Sequence, residues 1–208
     1  MASSTISTHR DSVTLYLQLI AITLICLLCQ WPALLPQIEW QQQAIHDGQY
    51  WRLVTGNFGH TNWAHLTMNL AALWLLTGIY GRYLHHWRLS VLLLLLSFAL
   101  GLWMLDSQIT RYLGLSGVLH GMASYGAVQD CATPKMRWQG WGMLAAISLK
   151  MIAEQCYNFD WGSAALIGAH ILTIAHLRGA LLGLGFGLVA LAYQHYRNIN
   201  AKTEAKRD

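Results

Sequence analysis

Ser116 sits in the stretch Gly114-Leu115-Ser116-Gly117-Val118-Leu119-His120-Gly121, which opens a hydrophobic segment behind a polar loop. A serine at a helix start lies among free backbone N–H groups, and these stabilise an anion. The glycine after it removes a side chain that would crowd an incoming carbonyl. Residue type and place fit a serine nucleophile with an oxyanion site beside it. The same pattern next to an apolar run also serves close helix packing, so a partner base has to be found. His176 is the best candidate, because an imidazole titrates near neutrality. It lies in Ala175-His176-Leu177-Arg178-Gly179-Ala180-Leu181-Leu182-Gly183, with small residues at 175, 179 and 183 on one helical face. Small residues let two helices approach closely, and Gly117 and Gly121 offer the matching surface. Such an approach would bring Ser116 and His176 within hydrogen-bond reach.

His65 and Asn69 are four residues apart and project from one face of another helix. An imidazole N–H and an amide NH₂ on one face are natural oxyanion donors; the bland alternative is a polar pair bonded to a neighbouring helix. Asp106 and Asp160 fall in loops and could reach His176 only by folding inward, so the expectation is a Ser116–His176 dyad for peptide-bond hydrolysis. Ten histidines raise metal hydrolysis as the rival chemistry. The spacing of His60, His65 and Asn69 supplies no carboxylate and matches no zinc helix motif, so no metal and no cofactor are expected.

The elements that position these groups follow from composition. Of 208 residues 55% are hydrophobic and only 11% charged, where a soluble domain has about 25% charged residues. Ser12 to Ile38, Leu53 to Gly81, Leu89 to Leu105 and Tyr112 to Gln129 lack Asp, Glu, Lys and Arg altogether. A bilayer span needs about 20 mostly apolar residues. The sequence predicts an all-α, polytopic membrane protein with spans over residues 12–30, 63–81, 89–105, 115–129, 139–156 and 169–194. A polar tail, 1–11, precedes the six-span domain, 12–196, and a basic tail, 197–208, follows it. Trp31, Trp40, Tyr50 and Trp51 in the long first connection suit the membrane–water interface. Cys26 and Cys29, one turn apart in the first span, read as small apolar helix residues.

Basic residues in loops and tails fix orientation. Arg10, Arg82, Arg88, Lys135, Arg137, Arg197, Lys202, Lys206 and Arg207 fall on the side of the N-terminus, and only Arg52 and Arg111 on the other. Both termini are then cytoplasmic, which agrees with six spans. The net charge of +4 reflects this bias and calls for no nucleic-acid partner; a basic end beside lipid is the better reading. The second, fourth and sixth spans then enter from the outer side, with His60, His65 and Asn69 at the start of one, Ser116 at the start of the next, and His170 and His176 in the first turns of the last. Polar groups gathered in one half of a bilayer mark a site.

At these residues the chain resembles the rhomboid intramembrane serine proteases. The matching elements are Trp51-Arg52, His60 followed by His65-Leu66-Thr67-Met68-Asn69, Gly114-Leu115-Ser116-Gly117, and Ala175-His176-x-x-Gly179-x-x-x-Gly183. The resemblance implies the six-span rhomboid fold, Ser116 as nucleophile and His176 as base. It implies an oxyanion hole of His65, Asn69 and the Ser116 amide, with His60, Gly114, Gly117, His120 and Gly179 lining the site. Trp51-Arg52 would shape the outer loop, and the fifth span would act as a movable gate. Within the family the chain is most similar to rhombosortases, because His120 stands where most rhomboids carry an aromatic residue. One helical turn after Ser116, it would stack on His176 or share its proton. The second span ends Gly78-Ile79-Tyr80-Gly81-Arg82, without the glutamate common in rhomboids.

The rhombosortase resemblance implies cleavage, through an acyl-enzyme, of exported proteins anchored by a C-terminal tail of Gly-Gly, membrane helix and basic end. It places the protein in a bacterial inner membrane, with the site opening to the periplasm. Lys150 and Glu154, four apart in the fifth span, read either as a mutual ion pair or as a contact for the substrate tail at the gate. Three rival functions remain open at this stage. The first is a rhomboid with other transmembrane substrates. The second, a non-catalytic membrane scaffold, has no need of Ser116, His176, His65 and Asn69 together. The third, a transporter, lacks an inverted repeat and an acidic chain through the spans.

Overall fold

The computed structural model describes residues 2–157, 159, 162–168 and 172–204. It is mostly helical. Six long helices, α1 (Ala2–Leu28), α5 (Trp63–Leu84), α6 (Arg88–Met104), α7 (Ser116–Cys131), α8 (Arg137–Tyr157) and α10 (Thr173–Glu204), match the six apolar segments of the sequence. Short pieces fill the connections: α2 (Leu35–Ile38), β1 (Trp40–Gln41), α3 (Gln42–His46), α4 (Arg52–Thr55), β2 (Arg111–Tyr112) and α9 (Ser163–Ile167). By length and composition α10 and the Asp11–Leu28 part of α1 can each cross a membrane; α5 and α6, bent by 114°, pass that test as a pair. The N-terminal stretch expected as a tail is helical from Ala2, and α10 runs on to Glu204. Neither Gly nor Pro interrupts either stretch, so a helix already nucleated propagates through them. The expected positions of Asp160, His170 and the start of the sixth span at residue 169 lie outside the described residues.

α7 is the hub. Its buried face runs from Gly117 through Gly121, Ser124 and Gly126 to Asp130, and it packs on α5, α6, α8 and most extensively α10. A Cβ at Gly179 would overlap the Gly117 carbonyl, and one at Gly183 the Gly121 carbonyl; one at Gly121 would lie 2.8 Å from the Gly179 oxygen. The two backbones touch directly, as the four-residue spacing of small residues predicts. At the far end of α7 the Asp130 carboxylate is buried. It accepts hydrogen bonds from the Tyr83 hydroxyl at 2.7 Å and Gln139 Nε2 at 2.9 Å and pairs with Arg82, joining α5, α7 and the start of α8.

The connection after α1 is a built layer, not a floppy loop. Trp40 is fully buried and its indole N–H donates to the Gly101 carbonyl at 3.0 Å. The interfacial placing expected for Trp40 is therefore corrected: the β1–β2 pairing of Trp40 with Tyr112 turns its ring inward against α6. Trp31, Tyr50 and Trp51 are exposed. The Arg52 guanidinium is buried and donates to the Pro36 and Glu39 carbonyls, folding the connection around itself. Cys26 and Cys29 are buried free thiols.

The packing separates two glycines two residues apart, Gly183 and Gly185, in role. Gly183→Ala forces a methyl into the Gly121 carbonyl and should cost about 1–3 kcal/mol. Gly187 aside, the helix continues past an open site at Gly185, where a Cβ meets nothing within 4 Å; Gly185→Ala should stabilise by up to about 1 kcal/mol through helix propensity. Thermal unfolding in detergent should show a lower Tm for Gly183→Ala and an unchanged or higher Tm for Gly185→Ala.

Candidate active site

Ser116 is the first residue of α7, so the N–H groups of its first turn have no intrahelical acceptor. The approach to it is set by Gly114, whose φ of +130° is open to glycine and strained for other residues. A Cβ there would also lie 2.7 Å from His65 Cε1. The Gly114 N–H donates to the Gly56 carbonyl at 3.1 Å, which ties this turn to the first connection.

The α7–α10 contact brings His176 to Ser116. His176 is buried on the second turn of α10, and its Nε2 lies 2.9 Å from Ser116 Oγ. His120, one turn along α7, stacks on the His176 ring at a centroid distance of 4.3 Å and an interplanar angle of 21°. Its Nδ1 donates to the Ser116 carbonyl at 2.7 Å. Of the two expectations for His120, the geometry realises stacking; the ring nitrogen that makes a bond holds the Ser116 backbone.

His65 is set by its own helix start. Asn62 caps α5, its Oδ1 accepting from the His65 N–H at 2.9 Å, and the Thr61 hydroxyl lies 3.1 Å from His65 Nδ1. Asn69 follows one turn later. Its Nδ2 is buried and has no hydrogen-bond partner among the described residues. An unmet buried donor costs about 1–3 kcal/mol, a cost that a ligand oxygen would offset. A cavity of about 340 Å³ collects His65, Asn69, Ser116, His120, Lys150 and His176 on one wall. A second, of about 210 Å³, reaches Ser116 and His65 from the side of Thr61, Gly114, Tyr112 and Ile167.

Three sequence expectations need correction. His60 does not line either cavity; it is fully buried behind His65, edge-on to it at 5.0 Å, where it supports the ring. Gly117 and Gly179 lie in the helix contact and not on the cavity wall, because their backbones face each other. The third concerns the carboxylate. Glu154, 2% exposed on α8, places Oε2 at 2.9 Å and Oε1 at 3.2 Å from His176 Nδ1. A carboxylate therefore does reach His176, from a helix whose rotation a single-helix pattern does not define. The Lys150–Glu154 ion pair is present. Buried Glu154 offers no surface to a substrate tail, while Lys150 keeps a third of its side chain exposed at the cavity.

The Rhomboid domain family matches residues 47–193, most of the chain and all of these groups. The chain belongs to the rhomboid family. That family comprises intramembrane serine proteases, and the matched span in this rhomboid chain runs from the first connection through His176 and Gly183. No curated protein matches the sequence.

Burial pushes the His60 imidazole down to about 3, and neighbouring His65 adds to the effect. His60 is therefore neutral when folded and takes a proton when unfolded below about pH 6.5. Between those values the unfolded chain binds more protons, so stability falls as pH falls from about 6.5 towards 3. Thermal melts across pH 7 to 4 should show this loss, and His60→Gln should lower Tm at pH 7 while flattening its dependence on pH.

Proposed function

We propose that this rhomboid is an active intramembrane serine endopeptidase, with Ser116 as nucleophile and His176 as general base. The observation that carries this reading is the 2.9 Å contact of Ser116 Oγ with His176 Nε2 at the wall of a cavity that also holds an unpartnered Asn69 amide. His176 Nε2 takes the hydroxyl proton as Oγ adds to the scissile carbonyl carbon. The developing oxyanion is met by Asn69 Nδ2, the His65 ring and the Ser116 backbone N–H. Collapse expels the amine, protonated by His176, and leaves an acyl-enzyme that water opens by the reverse route. The scaffold alternative gives no use for a nucleophile, a base and a free donor converging on one cavity.

All six long helices are taken to span the bilayer, with both termini in the cytoplasm and the site opening to the periplasm of a bacterial inner membrane. α7 carries a polar and glycine-rich face because protein, not lipid, covers it. An apolar groove between α5 and α8, walled by Ala72, Leu75, Leu76, Met143 and Ile147, leads from the lipid side to His120 and Lys150. A transmembrane tail lies along such a surface. The substrate is an exported protein with a C-terminal tail of Gly-Gly, membrane helix and basic end, cut near the Gly-Gly. Glycines unwind readily and bring backbone close to a nucleophile confined between touching helices. His120 stacked on His176 supports the rhombosortase-like assignment within the family.

The test is co-expression with an exported reporter bearing such a tail. Wild type should shorten the reporter and Ser116→Ala should not. Asn69→Ala should lower kcat by about 10²–10³, the size of a lost oxyanion donor, with little change in KM. Cutting of a transmembrane reporter without Gly-Gly, and not of this one, would move the substrate to that of a general rhomboid protease.

A further inference from the structure

Serine, histidine, glutamate and lysine form one continuous chain across three helices. Ser116 Oγ lies 2.9 Å from His176 Nε2; His176 Nδ1 lies 2.9 Å from Glu154 Oε2; Glu154 Oε1 pairs with Lys150 Nζ. A carboxylate only accepts, so the ring nitrogen facing it carries the proton. His176 is then held as the Nδ1–H tautomer, which leaves the Nε2 lone pair for the Ser116 hydroxyl. Without an acceptor at Nδ1 the imidazole is free to carry its proton on Nε2, where it cannot act as base. The stacked His120 ring fixes the plane of His176 but does not choose between the tautomers.

We propose that Glu154 is a positioning residue that holds His176 in the tautomer able to take the Ser116 proton, and that Lys150, by pairing with Oε1, leaves Oε2 as the nearer acceptor for the imidazole, at 2.9 Å against 3.2 Å for Oε1. The proposal rests on the serine-protease reading. It gives Lys150 a role distinct from substrate contact: its ammonium neutralises a carboxylate that is otherwise costly in an apolar bundle. The pair is therefore a catalytic support, where isolated ion pairs in helices contribute little.

The arrangement has a signature that a purely structural ion pair lacks. In Glu154→Gln, Lys150 still demands an acceptor and takes the amide oxygen. The amide NH₂ must then face His176 Nδ1 and donate to it, which forces the wrong tautomer. Replacing a triad carboxylate by its amide has this effect in serine proteases of another fold, at a cost of about 10⁴ in kcat. In Lys150→Met/Glu154→Gln nothing holds the amide oxygen, so it turns to accept from Nδ1–H and the working tautomer returns.

The experiment measures kcat and KM in detergent on a transmembrane reporter, per mole of monodisperse enzyme, for wild type, Ser116→Ala, Glu154→Gln, Lys150→Met and the double variant. Glu154→Gln should lose 10²-fold or more in kcat with KM within about threefold. The double variant should recover at least tenfold over Glu154→Gln, although it departs further from the native sequence. It carries the test by itself if the single variant folds poorly, since it must then keep at least a tenth of the wild-type kcat. Ser116-dependent cleavage with an unchanged kcat in Glu154→Gln, or a double variant no better than the single, overturns the proposal alone. Cleavage that persists in Ser116→Ala overturns the serine-protease reading and this proposal with it.

Discussion

Backbone contact between α7 and α10 is the constraint from which the site follows. A serine at one helix start and a histidine about one turn into another meet at 2.9 Å only if the helices touch without side chains between them. Gly117, Gly121, Gly179 and Gly183 remove those side chains, and each lies where a Cβ would strike the opposing backbone. The contact is intolerant of added bulk, and that intolerance makes the geometry precise. A pair of side chains held on rigid helices loses little freedom on reaching a reactive arrangement.

Around that contact the remaining groups are held by fixed local devices. The Asn62 cap sets His65, and with it Asn69 one turn on, at the mouth of α5. Gly114, tied to Gly56, places the turn before Ser116 so that His65 sits against it. The first connection is pinned by buried Trp40 and Arg52. His120 and Glu154 bound His176 from its face and its Nδ1 edge, so the ring is held in one orientation.

Much of this was legible in the residues. The apolar segments matched the six long helices, the small-residue spacing foretold the α7–α10 contact, and the Ser116–His176 pairing followed from it. Glu154 was legible only in part. Its spacing from Lys150 gave the ion pair, but its contact with His176 depends on how α8 is rotated against α10, and one helix's sequence does not contain that angle. The signal available was the cost of an ionised residue in an apolar segment, which asks for a partner within the bundle. Trp40 was misplaced for a related reason. Interfacial aromatics and loop-core aromatics share a composition, and only the pairing of residues 40–41 with 111–112 turns this ring inward.

The central claim is that Ser116 is an activated nucleophile. Treating the purified protein in detergent with a fluorophosphonate and mapping the adduct by mass spectrometry tests it most directly. The account predicts a phosphonyl group on Ser116, formed with loss of fluoride and absent or strongly slowed in His176→Ala. An unlabelled Ser116 in folded wild-type protein, or labelling equally fast without His176, would contradict it.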